Sequence, residues 1–212
     1  MEKRKRGRFI AFEGIDGSGK TTQIRLLQQR LQQKHIPCAC TAEPTDGPVG
    51  RLIRQILRGD VRTDEQVIAP LFVADRTDHL LNPDRGIRRQ LEEGTSILMD
   101  RYYFSSYAYQ CSENVPMERI IDFNKDCAAI LRPDATVFLD LKPEEAMRRI
   151  SANREHTEIF ETMERLTRVR GNYFTAFERM REEETVITVD AQGDEEELSE
   201  RIWRQLSGIF VS

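Results

Sequence analysis

GIDGSGKTT, residues 14–22, is the stretch that decides the fold. It satisfies G-x-x-x-x-G-K-[ST], with Gly14, Gly19, Lys20 and Thr21 at the fixed positions. The apolar segment RFIAFEG (8–14) enters it, and a segment with Ile24, Leu27 and Leu31 on one helical face leaves it. Strand, glycine loop and helix together make a cradle in which successive backbone N–H groups point at phosphate oxygens. The positive end of the helix adds to that field, and Lys20 supplies a mobile charge for the outer phosphates. Thr21 offers a hydroxyl to Mg2+, which takes hard oxygen ligands. Residues Gly14, Ile15, Asp16, Gly17, Ser18, Gly19, Lys20, Thr21 and Thr22 are therefore the expected nucleoside triphosphate site.

Working outward, four more apolar segments recur: IPCACTAEP (36–44), TSILMD (95–100), ATVFLDL (135–141) and TVITVDA (185–191). Most are apolar on consecutive positions, the pattern of strands buried on both faces of a parallel sheet. Helical patterns alternate with them. Leu52, Ile53, Ile56 and Leu57 share one face, and Leu198, Ile202, Leu206 and Ile209 another. The longest runs from about 158 to 181 through Phe160, Met163, Leu166, Val169, Tyr173, Phe177 and Met180, which are read as core. The acidic run at 194–197 opens the last helix, where carboxylates suit the dipole. The alternation predicts one three-layer α/β domain over 1–212 with a five-stranded parallel sheet and helices on both faces.

Composition narrows the partners. The 212 residues are 39% hydrophobic, and 32 basic against 36 acidic side chains leave a net charge of −4, without the basic excess of a nucleic-acid binder. No apolar run is long enough to span a bilayer, and the basic start MEKRKRG is followed by too short an apolar stretch for export; it reads as a solvated lead into the first strand. Four cysteines without paired spacing read as reduced thiols of a cytoplasmic protein. TSILMD ends in Asp100, placed to serve a metal ion, and Arg101 follows, well placed for a second anionic group. A switch GTPase needs N-K-x-D, and NKDC (124–127) has cysteine where aspartate is required.

GIDGSGKTTQ, LFVADRTDHL (71–80) and DRYYFSSYAYQ (100–110) together resemble thymidylate kinase, and the likeness extends through EPTDGPVGRLIR (43–54), RPDATVFLDLKPEEAMRR (132–149) and VDAQG (189–193). The resemblance implies a P-loop kinase fold with a short lid near 151–161, MgATP as phosphoryl donor, dTMP as acceptor and a homodimer. It implies that Phe72 stacks on thymine, Arg76 donates to a base carbonyl, Asp16 accepts from the 3′-hydroxyl and Arg101 holds the 5′-phosphate. Ser105 and Ser106 would line the base side, Tyr109 would sit where a ribose 2′-hydroxyl would go, and Thr21 and Asp100 would hold Mg2+. Gly17 stands where some members carry an arginine, so the lid is expected to supply it through Arg154, with Arg149 as fallback. The catalytic set is then Lys20, Arg101 and Arg154.

Side chains with other uses keep them open: Phe72 as helix core, Arg76 as a surface partner of Asp75 or Asp78, and Arg154 as a solvated loop residue. Ala42 and Thr45 flank Glu43-Pro44 where the family commonly has an arginine, and Arg51 or Arg54 is the expected substitute. Two rival readings stand beside this one. In a deoxynucleoside kinase, Glu43 would be the base for a 5′-hydroxyl. A non-catalytic regulator would bind ATP without turnover.

Overall fold

The computed structural model describes residues 5–152 and 162–211. Five strands form one sheet: β1 (Phe9–Glu13), β2 (Cys38–Ala42), β3 (Ser96–Asp100), β4 (Ala135–Asp140) and β5 (Val186–Asp190). Their order is β2-β3-β1-β4-β5, and every pairing is parallel. Each lies inside a segment expected from its apolar run. β1, β3 and β4 are the central strands and are almost wholly buried, whereas β2 and β5 are half-exposed edges.

The helices cover the sheet in two groups. α1 (Lys20–Gln33) packs on α9 (Glu195–Val211). The second group holds α3 (Glu65–Leu81), α5 (Tyr103–Tyr109), α6 (Met117–Ile130) and α8 (Met163–Met180), with α2 (Pro48–Leu57), α4 (Ile87–Glu92) and α7 (Pro143–Ala152) packed at its margins. Its core is aromatic: Phe138 of β4 and Phe104 of α5 each lie 4.9 Å from Phe177 of α8, both edge-on. Each such ring adds roughly 0.5–1.5 kcal/mol beyond its area burial. The stripe along α8 is thus core, with one correction. Met163 is exposed, because it begins the helix directly after the cap formed by Thr162 Oγ1 and the Arg165 N–H, one turn before the buried face starts. The expected stretch 158–161 of that helix, with Phe160, lies outside the described residues.

Both helix-start and chain-start readings acquire partners. Asp194 accepts from the Glu197 N–H at 2.8 Å, which anchors the acidic opening of α9. Arg6, solvent-exposed as expected of the basic start, and the following Arg8 both pair with Asp134 at the foot of β4. Among the described residues no helix is long and apolar enough to cross a membrane.

Register brings the chemistry together. Phe12 aligns with Asp100, and Asp100 with Ala42. The ladder continues one bond further on each side, through Arg101 N–H to Phe12 O at 2.9 Å and Glu43 N–H to Asp100 O at 3.2 Å. The loops after β1, β2 and β3 therefore leave the same sheet edge side by side, the usual place for ligands in open α/β sheets.

Candidate active site

The loop after β1 turns through Gly17 at φ 80° and Gly19 at φ 90°. At Gly19 a Cβ would meet only open space, so backbone conformation alone demands glycine. At Gly17 a Cβ would also lie 2.9 Å from the Ala146 carbonyl of α7. Lys20 is folded back inside the loop, its Nζ donating to the carbonyls of Gly14 (3.0 Å) and Ile15 (3.2 Å). Burial, with Arg101 nearby, pulls its pKa down to about 8 against the opposing pull of Asp100, Asp16 and Glu13. Two loop residues face inward instead of outward: Ile15 belongs to the core, and Ser18 is fully buried.

Asp100 Oδ2 accepts from Thr21 Oγ1 at 3.0 Å, while its Oδ1 is buried with no hydrogen-bond partner among the described residues. A carboxylate oxygen and a hydroxyl oxygen, one of them with unused capacity, fit the hard-oxygen preference of Mg2+. Next to it Arg101 adopts φ 68°, a left-handed conformation costly for a non-glycine residue. Its guanidinium donates to Asp16 Oδ1, to Ser105 Oγ at 3.1 Å and to Tyr109 Oη at 3.3 Å, and lies 4.7 Å from the Tyr109 ring centre.

Beneath Arg101 is a buried carboxylate that the sequence reading passed over. Glu13 accepts from the N–H groups of Tyr102 (2.8 Å) and Ser105 (3.2 Å), from Ser105 Oγ (2.6 Å) and from Tyr173 Oη of α8 (2.8 Å). Burial raises its pKa despite those donors. The network fixes the start of α5, and with it Arg101, to the strand that carries the phosphate loop.

Arg76 is not a surface partner of Asp75 or Asp78. Its side chain and that of Glu43 are each 1% exposed, with Nε–Oε2 at 2.8 Å and Nη2–Oε2 at 2.7 Å. Nη1 donates to Asn124 Oδ1, and both terminal nitrogens reach Ser106 Oγ, at 3.3 and 3.4 Å. Burial is the strongest single effect and works against the charge, but Glu43 together with Tyr102 and Cys127 opposes it and the pKa of Arg76 is raised. His79 Nδ1 approaches Glu43 Oε1 at 3.2 Å, so both carboxylate oxygens are engaged. Asp75 instead accepts from Thr45 N–H (2.7 Å) and Oγ1 (2.6 Å), shaping the loop after β2. Arg54 donates to the carbonyls of Pro44 (2.8 Å) and Thr45 (2.5 Å), and Arg51 to that of Asp46 (2.7 Å). Both brace this loop; neither lines the cavity described next.

A cavity of about 720 Å³ brings together Asp16, Gly17, Gly19, Lys20, Thr21, Thr22, Asp100 and Arg101. Ala42 and Glu43 close one side, and α7 with the start of α9 closes another through Arg148, Arg149, Asp194 and Glu195. Arg149 donates to the Ala191 carbonyl at 3.1 Å and, with Arg148, to Glu145, whose pKa those two arginines hold at about 2. Ser105, Ser106 and Tyr109 lie on α5 behind Arg101, and Phe72 lies on α3, half-buried and outside the core cluster. Arg154 lies outside the described residues. Gln110, which closes the DRYYFSSYAYQ block, has a buried Oε1 with no partner among the described residues and follows Ser106 by one turn, its N–H donating to Ser106 O at 3.1 Å. Of the α7–α9 wall only Arg149 is singled out by the sequence as a candidate site residue, and Asn124 is not read there as a partner of Arg76.

These features match known proteins. The family model described as thymidylate kinase covers residues 12–202. A protein from Pyrobaculum calidifontis named "Probable thymidylate kinase" is 45% identical over 168 residues, covering 79% of this chain and 81% of its own length. Another from Thermococcus gammatolerans, of the same name, is 37% identical over 91% of this chain and 92% of its own length. A "Thymidylate kinase" from Leptospira borgpetersenii is 34% identical over 91% and 90%. A glycine loop between strand and helix, with a carboxylate and an arginine beside it on one sheet edge, in a sequence that matches the family model over residues 12–202, places this chain in the thymidylate kinase family.

Proposed function

We propose how this site performs its family's reaction, the transfer of the γ-phosphoryl group of ATP to dTMP with release of dTDP and ADP. The loop N–H groups and Lys20 hold the outer phosphates of ATP, and the α7–α9 wall receives its nucleoside. Arg101 holds the 5′-phosphate of dTMP, with Asp16 orienting the guanidinium and accepting from the 3′-hydroxyl. Phe72 stacks on thymine, a contact worth roughly 1–3 kcal/mol that any base could make. Selection comes from Arg76, a donor without acceptor capacity suited to O4, and from Gln110 Oε1, an acceptor suited to N3–H. Tyr109 lies against the sugar. Arg154 supplies further positive charge to the transferring group, with Arg149 as the alternative.

Thr21 and Asp100 are the residues that would hold Mg2+, which would supply positive charge against that of the phosphates. The protein's own task is alignment of two polyanions and exclusion of water. No general base is required, because the second pKa of a phosphate monoester is about 6. The occupied oxygens of Glu43 speak against its use as one. The exposed apolar side chains Leu52, Leu57 and Val67 on α2 and α3 support a homodimer, and we place the enzyme in the cytoplasm.

The observation that carries this reading is the cavity shared by Lys20 and Arg101, one from the triphosphate cradle and one braced by α5. The test is a panel of deoxy- and ribonucleoside monophosphates, with thymidine, as acceptors for MgATP. dTMP should support the fastest ADP release and thymidine none. Phosphorylation of thymidine would favour the deoxynucleoside kinase, and ATP binding without acceptor-dependent turnover would favour the regulator.

A further inference from the structure

We propose that Tyr173 is a positioning residue for the acceptor, its hydroxyl holding Arg101 in place through Ser105. The inference rests on the reading above that Arg101 grips the 5′-phosphate of dTMP. Tyr173 is fully buried on α8 and does not line the cavity shared by Lys20 and Arg101, so it can reach a ligand only through other side chains. Its Oη donates to Glu13 Oε2 at 2.8 Å and lies 2.9 Å from Ser105 Oγ. Ser105 Oγ donates to the same carboxylate oxygen at 2.6 Å. Oxygens from β1, α5 and α8 thus close a triangle, and Arg101 Nη1 donates into it, to Ser105 Oγ at 3.1 Å.

The triangle decides where the Ser105 hydroxyl points. A serine hydroxyl has one proton and two lone pairs and turns to suit its neighbours. With its proton on Glu13, one lone pair faces Arg101 and the Tyr173 oxygen takes up the remaining direction. Burial pushes the Tyr173 phenol well above its ordinary pKa of 10, so it stays protonated and serves as a donor. Without that oxygen Ser105 borders a gap and can turn away, and Arg101 loses a fixed acceptor. The ring of Tyr173 makes a separate connection: it meets the Tyr109 ring edge-on at 6.3 Å, and Arg101 lies 4.7 Å from the centre of Tyr109. It also packs 5.0 Å from Phe138 and 5.8 Å from Phe177. Packing therefore accounts for the ring but not for the hydroxyl. The partners of that hydroxyl among the described residues both bear on Arg101, Ser105 through its side chain and Glu13 through the next backbone N–H, that of Tyr102.

The experiment is a mutant cycle of Tyr173→Phe, which keeps the ring and deletes the oxygen, Ser105→Ala and the double variant, with Arg101→Met as reference. Dissociation constants of dTMP and of thymidine are measured by calorimetric titration, and thermal melts check the fold. Tyr173→Phe should weaken dTMP about fivefold or more while thymidine, which has no phosphate, stays within about twofold. The double variant should bind dTMP within about twofold of Ser105→Ala alone, because Tyr173 acts through Ser105. A change for dTMP below twofold would overturn the proposal. So would equal weakening of dTMP and thymidine, which marks packing, or single effects that multiply in the double variant. A Tyr173→Phe chain that melts below the assay temperature would make the hydroxyl a folding residue and overturn it as well. Arg101→Met tests the underlying reading. If it too leaves the dTMP-to-thymidine ratio unchanged, the phosphate assignment falls; a ratio altered in Arg101→Met and not in Tyr173→Phe overturns this inference alone.

Discussion

Glu43→Met tests whether the Glu43–Arg76 pair is the support of the base pocket. Both side chains are 1% exposed, and two short bonds join them. Removing the carboxylate leaves a guanidinium buried with, among the described residues, only the neutral side chains of Asn124 and Ser106 as its hydrogen-bond acceptors. Breaking a buried pair in this way costs about 3–5 kcal/mol. At about 2–4 °C per kcal/mol for a chain of this size, the melting temperature should fall by roughly 6–20 °C. The double variant Glu43→Met/Arg76→Met removes both charges, and replacing a buried pair by apolar side chains is often neutral or stabilising. It should therefore recover most of the lost stability in urea and thermal melts. It should not recover substrate affinity. A hydrogen bond from a charged donor is worth about 1.5–3 kcal/mol, so kcat/KM for dTMP should stay about tenfold to 150-fold low. A double variant with normal KM for dTMP would reduce Arg76 to a structural residue. A single variant that loses under about 1 kcal/mol would refute the burial argument.

Lys20→Ala should lower turnover by about 10²–10³, the usual loss for one preorganised donor, while stability holds or rises because burial already disfavours the Lys20 charge; an active variant would refute the cradle assignment. Glu13→Gln should remove a pH dependence. The native pKa of Glu13 is raised, so its contribution is fully present below the ordinary value of 4.5 and is lost as pH rises toward the native value. Wild type minus variant stability, from urea midpoints, should fall across that window, and a constant difference from pH 4 to 8 would contradict it. Gly17→Ala should raise KM for ATP and destabilise the protein, because its Cβ meets the Ala146 carbonyl at 2.9 Å with φ at 80°. Calorimetric titration with ATP giving an unchanged affinity would refute this.

What could be read before the structure, and what could not, divides by range of interaction. The central strands announced themselves because burial on both faces makes most positions apolar, and the glycine loop because its glycines serve local backbone geometry. Pairings across the chain left no such trace. Arg76 and Asn124 are 48 residues apart, and their contact exists only because α3 packs on α6. Glu43 reads equally well as a base or a brace until His79 and Arg76 are seen to occupy both its oxygens. Gln110 carries a signal only once its carbonyl is found buried and unpartnered. Arg51 and Arg54 looked available for phosphate because a sequence does not show that Asp46, Pro44 and Thr45 claim them first.

Asp100 and Arg101 show why the two halves of the site need only one strand end. Asp100 ends β3 and Arg101 leaves it in a left-handed conformation, so the two neighbours face different partners. Asp100 meets Thr21 on α1, the helix behind the triphosphate cradle. Arg101 turns to Ser105 and Tyr109 on α5 and to Asp16 in the loop. A left-handed residue at this point costs about 1–2 kcal/mol, yet it lets the chain leave the sheet and enter α5 within three residues. The surroundings hold that conformation from two sides. The Arg101 N–H is tied to Phe12 O, and the next N–H, that of Tyr102, is tied to Glu13. Strain and buried carboxylate therefore belong to one device, which fixes Arg101 beside Asp100 at the edge of the sheet.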